Sequence, residues 1–183
     1  MKTPIIFFSL LLFSFGLTAQ SDSITNPNNI RLGVAYTSFG GDQGFTVFNE
    51  VQFGVGKRFT VGPNFYFSRT VYNLGGKNVI NYLMGIDLNA YFALFKSESA
   101  SLLIGPGFTF RHRDYSFEYP KYSSSVDPTV GKIESSSKSG AIANFVYERK
   151  ISSKWNVGIK TTWHPFGPQE NLLYAGFYGG LKF

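Results

Sequence analysis

Residues 171–183 alternate without a break. Leu173, Ala175, Phe177, Gly179, Leu181 and Phe183 share one parity, and Tyr174, Gly176, Tyr178, Gly180 and Lys182 share the other. A two-residue period puts successive side chains on opposite faces of a strand, so this stretch predicts a strand with one greasy face. A chain that stops on an aromatic in that pattern reads as the closing strand of a β-barrel that crosses a membrane.

The start of the chain predicts export. Lys2 supplies a positive charge, residues 5–15 are apolar and uncharged, and Leu17-Thr18-Ala19 offers a small residue before Gln20 for cleavage. The apolar run is shorter than the roughly 20 residues a spanning helix needs. Residues 1–19 are therefore read as a signal peptide, 20–29 as a short N-terminal segment and 30–183 as the barrel. The chain has no cysteine, which removes a lipidated anchor, a disulfide framework and any thiolate metal site.

The chain carries 20 Phe, 11 Tyr and 20 Gly, a departure from ordinary globular usage towards aromatics and glycine. Mean hydropathy near zero is compatible with a membrane barrel, because lipid-facing and lumen-facing residues alternate and cancel. Eight alternating segments follow: 30–39, 45–57, 59–71, 79–93, 102–113, 139–149, 155–163 and the terminal strand. Each is close to the 9–11 residues of a tilted membrane strand. The fold class expected is all-β, an eight-stranded antiparallel up-and-down transmembrane barrel.

Connections after the even strands are short and basic, with Lys57-Arg58, Lys96, and Arg149 to Lys154. Alternate connections, 40–44, 72–78, 114–137 and 164–170, are longer or richer in glycine and polar residues. Barrels of this kind have short periplasmic turns and long outer loops, so both termini are expected in the periplasm. Trp155 and Phe59 would mark one membrane rim, and Trp163, Tyr36 and Tyr72 the other. Asn49, uncomfortable on a lipid face, predicts a bulge in the second strand.

Val61-Gly62-Pro63 recurs as Ile104-Gly105-Pro106, with an echo at Val157-Gly158. Proline forfeits a ladder hydrogen bond, so both prolines are expected at bulges or near strand ends. The inward parity collects Arg31, Glu50, Asp87, Arg111 and Lys160. Eight strands leave an interior just wide enough for side chains, so these are expected to form a plug of ion pairs, with Glu50 and Asp87 engaging the cations.

On these residues the chain resembles the small outer-membrane β-barrel family, the OmpA/OmpX-like eight-stranded type, and its leader ending Thr18-Ala19-Gln20 is similar to those common in Bacteroidota. The resemblance implies an outer membrane location and a structural or surface-interaction role. Outer-membrane lipids, lipopolysaccharide and the barrel-assembly machinery are the implied partners, the last through Phe177, Leu181 and Phe183. Tyr115, Tyr119 and Tyr122 in the long outer loop are candidate contacts for an extracellular ligand.

Two other classes remain open to the sequence. A lipid A-modifying enzyme would need a nucleophile, base and acid gathered at a rim, and His112, His164, Asp114 and Glu170 are the available groups. No catalytic, cofactor or metal site is assigned, because His112-Arg113-Asp114 is not similar to the His-x-Ser arrangement of lipid A deacylases. A soluble exported carrier of lipocalin type would carry the same alternation inverted, with its greasy face inward. Nucleic acid is not an expected partner, since the net charge of +6 is spread over turns and lumen.

Overall fold

A computed structural model of the chain describes residues 28–74, 77–118, 134–167 and 169–183. The expected leader, Tyr119 and Tyr122 lie outside them. Eight antiparallel strands run β1 (Asn29–Phe39), β2 (Asp42–Gly54), β3 (Phe59–Leu74), β4 (Lys77–Lys96), β5 (Ala100–Glu118), β6 (Glu134–Lys150), β7 (Trp155–His164) and β8 (Leu172–Lys182). Each pairs with its neighbours in sequence, and β1 pairs with β8 to close the cylinder. Closure satisfies every strand edge, which is the condition for a sheet to lie in hydrocarbon.

The alternation decides which side is greasy. In β8, Tyr174 and Tyr178 are buried while Phe177 is 71% exposed. In β1, Ile30, Leu32, Val34 and Tyr36 are exposed, and Arg31, Ala35 and Thr37 are buried between them. The apolar residues thus point outward and the polar ones inward, which excludes the inverted, ligand-carrying arrangement. Trp155 and Phe59 stand exposed at one end of the outer wall, and Trp163, Tyr36 and Tyr72 towards the other.

Several strands run further than their apolar pattern. Asp114 pairs with Ser135 and Tyr115 with Glu134, so both flanks of the expected 114–137 loop belong to the β5–β6 ladder. Likewise β1 and β2 meet through two residues only, Gly40 and Gly41, whose φ values of 57° and 102° suit a tight hairpin that residues with a side chain would resist.

The expected bulge at Asn49 is absent. Asn49 faces outward with one register maintained along β1–β2 and β2–β3. The register shift falls instead in β4, between Ala93 and Phe95. Neither proline sits at a bulge. Beside Pro63 the β2–β3 ladder simply opens, from Glu50↔Asn64 to Phe53↔Val61, and beside Pro106 the β4–β5 ladder opens from Asn89↔Gly107 to Phe92↔Ile104. A Cβ on Gly62 would collide with the Val51 carbonyl, and one on Gly105 with the Ala90 carbonyl. The Gly-Pro repeat therefore marks two equivalent places where the chain passes close to the preceding strand without bonding to it.

A second regularity fills the interior. Gly33 pairs with Phe48, Gly85 with Tyr66 and Gly158 with Tyr178. Each aromatic ring lies over the glycine opposite, within contact distance of where its Cβ would be. Covering an inward glycine with the cross-strand aromatic recovers the apolar contact that glycine lacks.

Candidate functional site

The interior is layered along the barrel axis. At the end with the short turns, Glu50 and Glu148 share Arg31. Arg31 Nη1 lies 3.2 Å from Glu50 Oε2 and Nη2 lies 2.7 Å from Glu148 Oε2. Lys160 Nζ stands 3.1 Å from Glu50 Oε1. Glu50 also accepts hydrogen bonds from Tyr91 Oη at 2.6 Å and Asn89 Nδ2 at 2.8 Å. Tyr178 donates to Glu148 at 3.2 Å, and its ring lies 4.8 Å from the Arg31 guanidinium. Arg31, Glu50 and Lys160 are fully buried. Charges so deep are tolerated only when paired, as all three are; Arg31 and Glu50 are hydrogen-bonded as well, while Lys160 is held by its ion pair with Glu50.

Asp87 belongs to the next layer. Its Oδ2 accepts from Asn64 Nδ2 at 2.7 Å and from Tyr174 Oη at 3.5 Å, and it has no ion pair within 4 Å among the described residues. Above it, Tyr66, Tyr174, Phe48, Leu83 and Leu172 pack around the buried His164, whose ring centroid lies 5.4 Å from that of Tyr66.

Arg111 does not join Glu50 or Asp87. It lies at the loop end, where Arg111 Nη2 meets Glu170 Oε2 at 2.9 Å and its guanidinium sits 4.7 Å from the Phe166 ring. Glu170 also faces Arg113 at 3.3 Å and Lys138 at 3.5 Å. Arg113 in turn donates to Asn81 Oδ1 at 2.7 Å, and Asn81 to Asp42 at 2.7 Å. Tyr115 takes the inward register, its ring 4.9 Å from the Arg113 guanidinium, so it packs against the lumen mouth.

Five lumen residues escaped the sequence reading. Glu148 follows the outward Tyr147 and was identifiable by parity. Glu170 lies beyond any strand, and only the closure of the barrel brings it over Arg111. Phe48, Tyr66 and Tyr91 make the lumen as aromatic as it is ionic.

On the outer wall, Phe177, Leu181 and Phe183 all face outward. Above the apolar belt on β5 and β6 stands a block of four polar residues. His112 Nδ1 is 2.9 Å from Ser137 Oγ, His112 Nε2 is 3.1 Å from Asp114 Oδ1, and Ser135 Oγ donates to the same Asp114 oxygen at 2.5 Å. The Ser135 hydrogen bond, aided by the imidazole, holds the Asp114 carboxyl below the usual carboxylate range. No group of three His, Asp or Glu is placed to hold a metal ion among the described residues.

No protein-family profile matches the sequence, and no curated protein matches it. Solved structures match in fold. Neisserial surface protein A is similar with a TM-score of 0.58 at 10% identity, over 87% of this chain and 99% of that one. Ail, the attachment invasion locus protein of Yersinia pestis, is similar with a TM-score of 0.54 at 12% identity, over 86% of this chain and 98% of that one. A de novo designed transmembrane β-barrel reaches 0.50 at 10% identity, over 87% and 99%. At these identities the likeness is one of fold, and the fold is that of small eight-stranded outer-membrane barrels.

Proposed function

We propose that this chain is an integral outer-membrane barrel with a lumen closed by side chains, serving the cell envelope structurally and presenting its loop end to the outside. The carrying observation is the placement of Arg31, Glu50 and Lys160, fully buried along the axis, inside a wall that exposes Leu32, Val34, Phe65, Phe67, Phe145 and Phe177. That distribution favours lipid around the barrel and disfavours bulk water through it. The exposed Lys57, Arg58, Lys150 and Lys154 fit periplasmic turns beside anionic headgroups, which attract such residues. Phe177, Leu181 and Phe183 fit a strand end offered to the barrel-assembly machinery. Tyr119 and Tyr122, with the rest of the outer loop, remain the proposed contact for an extracellular partner.

Recording in planar lipid bilayers tests the closed lumen. No steady single-channel conductance is expected from the wild-type chain. Steady conductance that is abolished by altering Arg31, Glu50 or Lys160 would overturn it.

A further inference from the structure

Two cross-strand rows wrap the outer wall together. One runs Val34↔Val47↔Phe67↔Met84↔His112↔Ser137, and the other runs Leu32↔Asn49↔Phe65↔Ile86↔Phe110↔Ser139, each pair being direct cross-strand partners. Strands in a barrel are tilted, so a row perpendicular to them climbs as it goes round. Val34 lies midway along β1 among outward apolar residues, whereas His112 is the first polar residue of the outward row of β5 above Ile104, Phe108 and Phe110, so the rows rise from the middle of the apolar belt to its upper rim. Between them lies a groove of about 820 Å³, lined by Val47, Phe65, Phe67, Met84, Ile86 and Phe110 and reaching His112 and Ser137.

At the head of this groove the geometry is that of an activated nucleophile. A hydroxyl and an imidazole stand within hydrogen-bond reach, and a carboxylate orients the imidazole from its other nitrogen. Asp114 is itself fixed by Ser135. His112 and Ser137 are both exposed enough to be reached, with the His112 side chain 42% exposed. An apolar trough that ends at a Ser–His–Asp relay suits a molecule with a long hydrocarbon tail and a carbonyl near its polar end.

We propose that Ser137, His112 and Asp114 form a hydrolytic site for the carboxylic ester of a long-chain amphiphile, its acyl chain lying in the groove. Ser137 Oγ attacks the ester carbonyl carbon while its proton passes to His112 Nδ1. The bond to the leaving oxygen breaks, and the alcohol departs with that proton. Water, deprotonated by His112, then attacks the acyl-serine, releasing the carboxylic acid and returning the hydrogen to Ser137. The sum is ester plus water to acid plus alcohol, with no redox partner. Asp114 keeps the ring oriented and stabilises the imidazolium between the two steps. This activity goes beyond the envelope role and stands or falls separately from it.

The test uses the full chain refolded in detergent micelles, with folding checked by the heat-dependent gel shift of an intact barrel. The probes are p-nitrophenyl dodecanoate, p-nitrophenyl acetate and a fluorophosphonate label. The expected result is labelling at Ser137 and dodecanoate hydrolysis that falls about a hundredfold or more in Ser137→Ala and His112→Asn. Ile86→Trp, which fills the groove, is expected to slow dodecanoate about tenfold relative to acetate. A folded chain that neither labels nor hydrolyses, or one whose Ser137→Ala variant hydrolyses as well as wild type, overturns the proposal and leaves the four residues as a solvated hydrogen-bonded block. Equal slowing of both esters by Ile86→Trp contradicts the groove as the acyl site.

Discussion

The guanidinium of Arg31 bridges two strands that do not touch each other, binding Glu148 of β6 at 2.7 Å through one nitrogen while the other reaches Glu50 of β2 at 3.2 Å. The ion cluster therefore ties opposite walls of the cylinder, not merely adjacent strands. With Lys160 of β7 on the far oxygen of Glu50, four of the eight strands meet in one network.

Removing a single carboxylate from this network is expected to be costly. Glu50→Gln keeps the shape but leaves Arg31 and Lys160 short of a buried counter-charge, and breaking a buried pair in this way costs about 3–5 kcal/mol. Glu148→Gln is expected to cost less, because Glu148 lies nearer the turn end, where its partner Lys182 is partly exposed. Equilibrium urea unfolding in lipid vesicles measures both. Equal stability of Glu50→Gln and wild type would contradict the cluster's structural role.

The glycine–aromatic pairs make a second, independent prediction. At Gly85 the Tyr66 ring occupies the space a side chain would need, whereas nothing lies within 4 Å of a Cβ at Gly179. Gly85→Leu is expected to lose about 1–3 kcal/mol through overpacking, or to yield no folded barrel. Gly179→Ala should unfold with wild type. Indistinguishable unfolding midpoints for the two variants would remove the account of the lumen packing.

The absence of cysteine allows orientation to be read with single introduced thiols. Ser125→Cys, in the segment proposed to face outside, is expected to react with a membrane-impermeant maleimide on intact cells. Ser153→Cys, in the β6–β7 turn, is expected to react only after the outer membrane is breached. The reverse pattern would invert the barrel.

Phe177, Leu181 and Phe183 are exposed on the lipid side, so their truncation removes little internal packing. Replacing all three with alanine is expected to cut the amount reaching the outer membrane of cells severalfold while spontaneous refolding into detergent stays close to wild type. Similar losses in both settings would assign these residues to stability and not to assembly.

The two-residue period carried most of the fold. It located all eight strands because each has one continuous lipid-facing row, and lipid tolerates few exceptions. It failed where that pressure ends. Asp114 and Ser135 lie above the belt, where water accepts any polar side chain, so the outward row of the continuing β5–β6 ladder left no hydrophobic trace, and only the alternation of Tyr115 and Phe117 with polar residues hinted that the hairpin extends above the membrane. The lumen was only partly legible for the related reason that its partners come from strands far apart in the chain. Arg31, Glu50 and Lys160 were visible as inward charges, but that Arg111 answers Glu170 and not Asp87 depends on how the cylinder closes. The Ser137–His112 pair was hidden in the same way, since cross-strand register and not local spacing makes them neighbours.

The outer wall must face lipid for the barrel to sit in a membrane, and the two tryptophans report on it directly. Trp155 and Trp163 are 56% and 48% exposed, near opposite ends of β7. In vesicles containing brominated lipids, the fluorescence of Trp155→Phe and Trp163→Phe, each retaining one indole, should be strongly quenched by bromines near the headgroups and only weakly by acrylamide in the water. Tryptophans quenched by acrylamide and untouched by bromine would contradict a barrel set in a membrane.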